Sequence, residues 1–411
     1  MRDSRRYVLH PAVSVLGRRG RVRAVNQAFG TWLETSAGVR RLIEFFRRPA
    51  PLSGAPPCEG VDREAMLTLL VDNYVIVPHA ELAMLSDART RPAPSPIGAP
   101  CSATALALTV RRGTVVVIGA PVDSGARVGG ARHGPDEIRS VFPDDLRSAF
   151  AHAGTSQPVL DFDFGREYDI RNLQVLDLGD VDFKPGESLA VVGARLGKIV
   201  GRCADLRATP VVLGGDHSIS AFSAGALLER HEALGIIHFD AHHDVYAHPL
   251  RQLTHATSFA HLLARSSLRQ LLQIGLRTVE QPSEGTRRVR DSRLHYVSAR
   301  AVTQLSPSQV FRRLNRRLPY YLSFDVDCLD PLFASATGTR MIGGLSFYQA
   351  INLIDYAART FHIVGADFVE TSKSSEKHNL AALASARCLL QLLVSRCRAR
   401  RLANYAFAYP P

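Results

Sequence analysis

Acids and imidazoles gather in three short stretches of the chain. The stretch FDAHHDVYAHPL (239–250) places Asp240, His242 and Asp244 at alternate positions, VVLGGDHS ends in Asp216 and His217, and SFDVDCLDP carries Asp325 and Asp327. In an extended chain, side chains at i, i+2 and i+4 point the same way. Asp240, His242 and Asp244 can therefore face one point, and so can Asp325 and Asp327. Four carboxylates in one cleft would repel, each raising its neighbours' pKa. A divalent cation is the simplest relief. Four carboxylates and two imidazoles exceed the needs of one ion and suit two ions bridged by shared carboxylates. A mainly oxygen donor set with some nitrogen favours Mn²⁺ over structural zinc. The cofactor expected is two Mn²⁺, held by His217, Asp240, His242, Asp244, Asp325 and Asp327.

The same alternation sets neighbours aside. His243 has the wrong parity and should point into packing. His238 shares Asp240's parity but lies deeper in the apolar run, as a buried, hydrogen-bonded histidine. Asp330, before Pro331, reads as a turn residue, and Asp216 as the residue orienting the His217 loop. Paired metals typically serve hydrolysis, since they lower the pKa of a bridging water. Hydrolysis also needs a proton shuttle. Two candidates stand out: His255 in LTHATSF and Glu370 at the end of GADFVETS.

Such residues need strand ends to carry them. Eight short apolar runs, at 114–121, 173–180, 209–216, 234–242, 271–277, 294–299, 320–327 and 361–368, alternate with helix-like stretches. That pattern predicts a parallel sheet covered on both faces. In such sheets ligands bind beyond the carboxyl ends of the strands, where these acids and histidines fall. Residues 155–172 carry no strong pattern and read as an insertion or long loop.

A proline-rich break, DARTRPAPSPIGAPCSA, separates this region from a small N-terminal part. The expected division is a domain at 1–86, a linker at 87–109 and a catalytic domain at 110–411. In the first, two strands surround Gly17-Arg18-Arg19-Gly20 as a hairpin. Val39, Leu42, Ile43 and Phe46 then mark one face of a helix stopped by Pro49. Asp62 caps a second helix bearing Met66, Leu69 and Leu70, and YVIVP reads as a strand. The sum is a small α+β, winged-helix-like module.

Composition narrows the class. The 411 residues, 46% of them apolar, can bury a full core. The formal net charge is +12, but the arginines that supply most of it are spread along the chain, which argues for a solvated surface and against a nucleic-acid partner. The six cysteines form no C-x-x-C pair, and no window reaches the apolar length of a membrane helix. No signal peptide is recognised at the N-terminus. A reduced, cytoplasmic protein with no membrane partner is the expectation.

Taken in order, GGDHS, DAHxD and SFDVDxLDP resemble the ureohydrolases, the arginase and agmatinase family, as do GAPVDSGARVGGARHGP (119–135), ATGT (336–339) and GGLSF (343–347). The resemblance covers about residues 110–395. It implies the three-layer arginase-like α/β fold with an eight-stranded, mainly parallel sheet. It also implies hydrolysis of a guanidino group to urea and an amine. His217 resembles a ligand of one manganese, and His242 and Asp327 resemble ligands of the other. Asp240 and Asp325 resemble the bridging carboxylates, and Asp244 a ligand that also accepts a hydrogen bond from the nucleophile. His255 resembles the proton-shuttle histidine and Glu370 the glutamate that pairs with the guanidinium.

Arginases acting on free arginine usually carry asparagine where this chain has Tyr246, and Ser-Gly-Asn where it has Gln252-Leu253-Thr254. Tyr246 and Thr254 thus stand at substrate-binding positions, while the clamp for a free α-amino acid looks absent. Tyr246 instead resembles the agmatinases. The N-terminal module faintly resembles modules that bind leader peptides, and peptide arginases belong to the same superfamily. The partner implied is an agmatine-like guanidine or an arginine residue in a peptide. Free arginine is the alternative, as is a catalytically silent relative that acts as a binding module. Residues 1–86 could instead pack on the catalytic domain or mediate a homo-oligomer.

Overall fold

The computed structural model describes the chain except residues 1–5, 10–12, 19–20, 27–30, 37–38, 59–60, 73–75, 79–89, 94, 104–105, 124–128, 152–156, 183–187, 247–252, 280–289, 377 and 404–411. It divides into two compact units, residues 1–89 with 101–110, and residues 90–100 with 111–411.

Eight strands dominate the second unit: β1 Val115–Ala120, β2 Val175–Val181, β3 Thr209–Gly214, β4 Leu234–Phe239, β5 Leu268–Leu276, β6 Leu294–Ser298, β7 Pro319–Asp325 and β8 His362–Val369. Their order across the sheet is β6-β5-β4-β7-β8-β3-β1-β2, and every neighbouring pair is parallel. The eight apolar runs thus become the eight strands. Strands β1, β3 and β4 are buried at every position, as expected for a sheet covered on both faces.

Side chains alternate along each strand. Ile237, Phe239, Leu322, Phe324, Ala366 and Phe368 fall on one face, in a core shared with α-helices Phe347–Thr360 and Leu380–Val394. His238, Tyr321, Ser323 and Asp367 have the opposite parity, toward the helix Ser220–Leu228.

Part of the proline-rich segment read as linker is structured. Thr90–Arg91 pairs antiparallel and Ala99–Pro100 parallel with β2. The Ile97 N–H donates to the buried Asp177 carboxylate, which also takes the Arg139 guanidinium in a two-pronged pair at 2.9 and 3.0 Å. Residues 155–172 likewise prove to hold a hairpin, Val159–Asp161 with Arg166–Asp169, extended by Arg398–Arg401 to three antiparallel strands. Short strands with charged outer faces carry too little periodicity to stand out in sequence.

The first unit is α+β. Arg6–Leu9 lies between Ala50–Pro51 and Ile76–Pro78, all antiparallel, and Val13–Arg18, Arg21–Asn26 and Thr31–Ser36 form a meander. The expected hairpin corresponds to the antiparallel pair Val13–Arg18 with Arg21–Asn26 of that meander, its Arg19-Gly20 connection lying outside the described residues. Four strands precede the first helix where two were read. Val39, Leu42, Ile43 and Phe46 are buried as their spacing required, with Met66, Leu70 and Ile76 in the same small core. The start of the expected YVIVP strand lies outside the described residues.

Gly275, in β5, shows how tightly the strands approach the chemistry. Its φ is +106°, and a Cβ there would sit 2.8 Å from the Asp240 carbonyl oxygen. The pairing of β5 with β6 shifts register at this point. Only glycine fits such a site without strain. Gly275→Ala is expected to cost about 1–3 kcal/mol of unfolding free energy, read by chemical denaturation; unchanged stability would show that the close approach is relaxed in solution.

Candidate metal centre

Strands β3, β4 and β7 end within reach of one another, and each delivers its acids and histidines there. After β3, Asp216 caps a short turn: its carboxylate accepts the Ser218 N–H and leaves His217 buried at the strand end. Asp216 therefore orients the loop. After β4 come Asp240, His242 and Asp244, and at the end of β7 come Asp325 and Asp327.

The distances form two groups that share one carboxylate. His217 Nδ1 lies 3.1 Å from Asp240 Oδ2, 3.2 Å from Asp244 Oδ2 and 3.1 Å from Asp325 Oδ2. His242 Nδ1 lies 3.3 Å from Asp240 Oδ1 and 3.1 Å from Asp327 Oδ2. Adjacent donors around an octahedral ion with bonds of about 2.1 Å lie about 3 Å apart, and these spacings fit that geometry. Asp240 turns one oxygen to each group, as a bridging carboxylate must. Asp325 turns Oδ2 to His217, while its Oδ1 accepts the Asp327 N–H at 2.8 Å. His217 Nδ1 is buried and makes no hydrogen bond among the described residues. A buried lone pair aimed at three carboxylate oxygens fits a divalent cation, so the donor set fits a pair of such ions.

His238 also lies close enough to His217 and Asp240 to complete a ligand trio. Its hydrogen bonds rule against that role. Nε2 is 2.9 Å from Asp240 Oδ2, and Nδ1 is 2.8 Å from Gln273 Nε2. Gln273 Nε2 also donates to the His243 carbonyl at 2.6 Å, which fixes it as the amide nitrogen. His238 Nδ1 must then accept, and Nε2–H must donate to Asp240. His243 points away from the cluster: its Nδ1 accepts the Val245 N–H at 3.1 Å and its ring packs against Tyr246. Asp330 accepts three backbone N–H groups, from Leu332, Gly343 and Gly344, as a turn residue.

Electrostatics carry the same message. Burial, reinforced by Asp327 and Asp240, pushes the Asp325 carboxyl well above the usual range, and burial with Asp240 raises Asp327. Burial works against protonating His217, but the surrounding Asp240, Asp244 and Asp325 carboxylates win and push it well above an ordinary histidine. His242 follows the same balance with Asp240 and Asp327 and is pushed up to about 12. Asp240 is held well below the carboxylate range, its burial outweighed by His217 and His238. The cluster thus concentrates buried negative charge that a cation would offset.

A cavity of about 110 Å³ opens onto the cluster, lined by His242, Asp244, Asp325 and Asp327, and also by Tyr246, His255 and Glu370. Both proton-shuttle candidates and Tyr246 therefore meet at the acid–histidine cluster. His255 Nδ1 is buried there without a hydrogen bond among the described residues. Glu370 is buried, accepts the His217 N–H at 2.8 Å and is raised to about 8 by burial and by Asp216. Asp244 and Glu370 have φ of +49° and +62°. Such backbone strain in non-glycine residues concentrates at functional sites.

Thr254 lies one residue before the cavity-lining His255. It caps the turn that starts at His255, in a reciprocal capping box with Thr257. Thr339 lines the cavity as well; its place within ATGT marks it in sequence, but nothing local assigns it to the site. Gln252 lies outside the described residues. Larger clefts of about 650 and 440 Å³ open near Arg387 and Arg398, away from these ligands.

Fold and cluster together define a parallel-sheet α/β protein whose buried acids and histidines fit a pair of divalent cations. A model of the arginase family matches residues 113–395, and the chain belongs to that family. An agmatinase of Edwardsiella ictaluri is 32% identical over 292 residues, covering 68% of this chain and 86% of its own. A guanidinobutyrase of Pseudomonas aeruginosa is 29% identical over 290 residues, covering 67% and 84%. A hypothetical agmatinase structure from Burkholderia thailandensis superposes with a TM-score of 0.57 at 28% identity, over 69% of this chain and 86% of that one. The proclavaminate amidino hydrolase of Streptomyces clavuligerus, at 24% identity, shares the fold with a TM-score of 0.61, over 75% and 98%.

The neighbouring carboxylates push both His217 and His242 upward, so a cation taking their ring nitrogens competes with protons there. Because both sit far above neutrality, proton release is expected on Mn²⁺ binding at pH 7, and affinity should rise with pH. Calorimetry in buffers of different ionisation heat measures the protons released; none released would refute the ligand assignment.

Proposed function

We propose that this chain hydrolyses a guanidino group to urea and an amine, using two Mn²⁺ held by His217, Asp240, His242, Asp244, Asp325 and Asp327. One observation carries the reading: Glu370 and the metal-ligand cluster line a single small cavity. When bound, the cations supply Lewis acidity that makes hydroxide available near neutral pH.

The chain's own groups do the rest. A guanidinium is planar and permanently charged, and it resists attack by water. The buried Glu370 carboxylate meets that charge. A cation beside it favours its ionised form, offsetting the burial that raises it. Asp244, at the cavity wall, accepts a hydrogen bond from the attacking oxygen. That oxygen adds to the guanidinium carbon, the bond from that carbon to the alkyl nitrogen breaks, and His255 passes a proton to the departing amine. The products are urea and an amine.

The substrate we propose carries its guanidine on a chain without a free α-amino-acid head. Tyr246 stands where a polar clamp residue would be needed, and Thr254 is engaged in capping. The agmatinase and guanidinobutyrase relatives support an agmatine-like small guanidine. The N-terminal unit, with its own core, supports a second reading, an arginine residue in a peptide held by residues 1–86 as a winged-helix-like recognition domain. Among the described residues no helix is long and apolar enough to cross a membrane.

Urea release from arginine, agmatine, guanidinobutyrate and an arginine-containing peptide, each with Mn²⁺-loaded protein, tests the proposal; metal-loaded protein inert to all four refutes it. His255→Ala should cut kcat by about 10²–10⁴-fold with both ions retained. Removing residues 1–86 should spare small guanidines and abolish only peptide turnover; equal loss of both would make the segment structural.

A further inference from the structure

A row of polar side chains crosses the buried sheet one layer below the ligands. Gln273 on β5 pairs in register with His238 on β4, His238 with Ser323 on β7, and Ser323 with Asp367 on β8. None of the four is exposed to solvent. Buried polar groups in a sheet core cost stability unless they are fully hydrogen-bonded, and a row of four across the centre of a parallel sheet calls for a physical account.

Counting protons supplies one. Asp367 accepts the Ser220 hydroxyl at 2.6 Å and the Tyr321 hydroxyl at 2.7 Å on Oδ2, and the Ser323 hydroxyl at 2.6 Å on Oδ1. Hydrogen bonds to a carboxylate are the stronger kind, so Ser323 gives its one proton to Asp367. Its oxygen, 2.9 Å from His217 Nε2, can then only accept. His217 must carry its proton on Nε2, which leaves the Nδ1 lone pair facing Asp240, Asp244 and Asp325. At the other end of the row, Gln273 donates to His238 Nδ1, so His238 donates through Nε2 to the bridging Asp240.

We propose that this row is a positioning device for the metal centre, in which Asp367, through Ser323, fixes the tautomer of His217, and Gln273, through His238, fixes the bridging carboxylate Asp240. The inference rests on the metal-centre reading above. Asp367 touches neither ligand nor substrate and acts only through Ser323. Partners that orient a ligating histidine typically contribute 10–100-fold in metal affinity.

The test is Mn²⁺ affinity by chelator competition, read beside the thermal midpoint of the metal-free protein. Asp367→Asn keeps the shape but presents N–H groups to the hydroxyls. Ser323 can then turn its proton toward His217, and the imidazole is released to the wrong tautomer. Asp367→Asn and Ser323→Ala should each weaken Mn²⁺ binding by about 10–100-fold, and Ser323→Thr, which restores a hydroxyl, should recover most of the loss. Tyr321→Phe, which removes a donor from Asp367 without breaking the Ser323 link, should lower the midpoint with less effect on metal. Wild-type affinity in both Asp367→Asn and Ser323→Ala would overturn the proposal. So would affinity losses in all variants that simply track their midpoints. If the wild-type protein itself binds no Mn²⁺, the metal-centre reading fails instead.

Discussion

Four carboxylates meet in the interior of this protein within hydrogen-bond distance of shared partners, and the surrounding structure follows from that. Like charges at such separation in a buried site cannot all ionise unless cations stand among them. Neighbouring acids push the two histidines upward, and burial with the other carboxylates pushes two of the aspartates upward. Two divalent ions offset the carboxylate charge while leaving the imidazoles neutral. A site built on mutual repulsion is thus also a site with strong cation demand.

Holding that arrangement has costs visible elsewhere. Asp244 and Glu370 adopt left-handed backbone, and Gly275 is needed where β5 passes the Asp240 carbonyl. The polar row below the ligands removes hydrophobic contact from the middle of the sheet. The rest of the core is conventional, with aliphatic and aromatic side chains from β4, β7 and β8 packed against two long helices. Rigidity from that packing lets a few strained residues persist.

Topology is what gathers the ligands. Strands β3, β4 and β7 are separated in sequence, yet β4 and β7 are adjacent, and β8 sits between β7 and β3. All are parallel, so their carboxyl ends share one edge. Glu370 arrives there from β8 and accepts the His217 backbone N–H, tying the end of β8 to the loop after β3.

Much of this was legible in the residues themselves. The period-2 spacing of Asp240, His242 and Asp244 selected the cluster-facing residues and excluded His243, because alternation is a local property of extended chain. The eight apolar runs named the eight strands for the same reason. His255 and Glu370 emerged as candidates from strand-end position and from the motifs around them. The hairpin at 159–169 and the edge strands at 90–91 and 99–100 did not emerge, because their pairing is with distant residues and leaves no local periodicity. Thr254, read as a substrate-binding position, also caps the turn at His255, a role that a threonine before a turn does not announce in sequence. Local spacing determined which side chains can point together. Only the tertiary structure decided which strands lie side by side, and hence that Gln273, His238, Ser323 and Asp367 form one row: in-register pairing across parallel strands is set by packing between segments far apart in the chain.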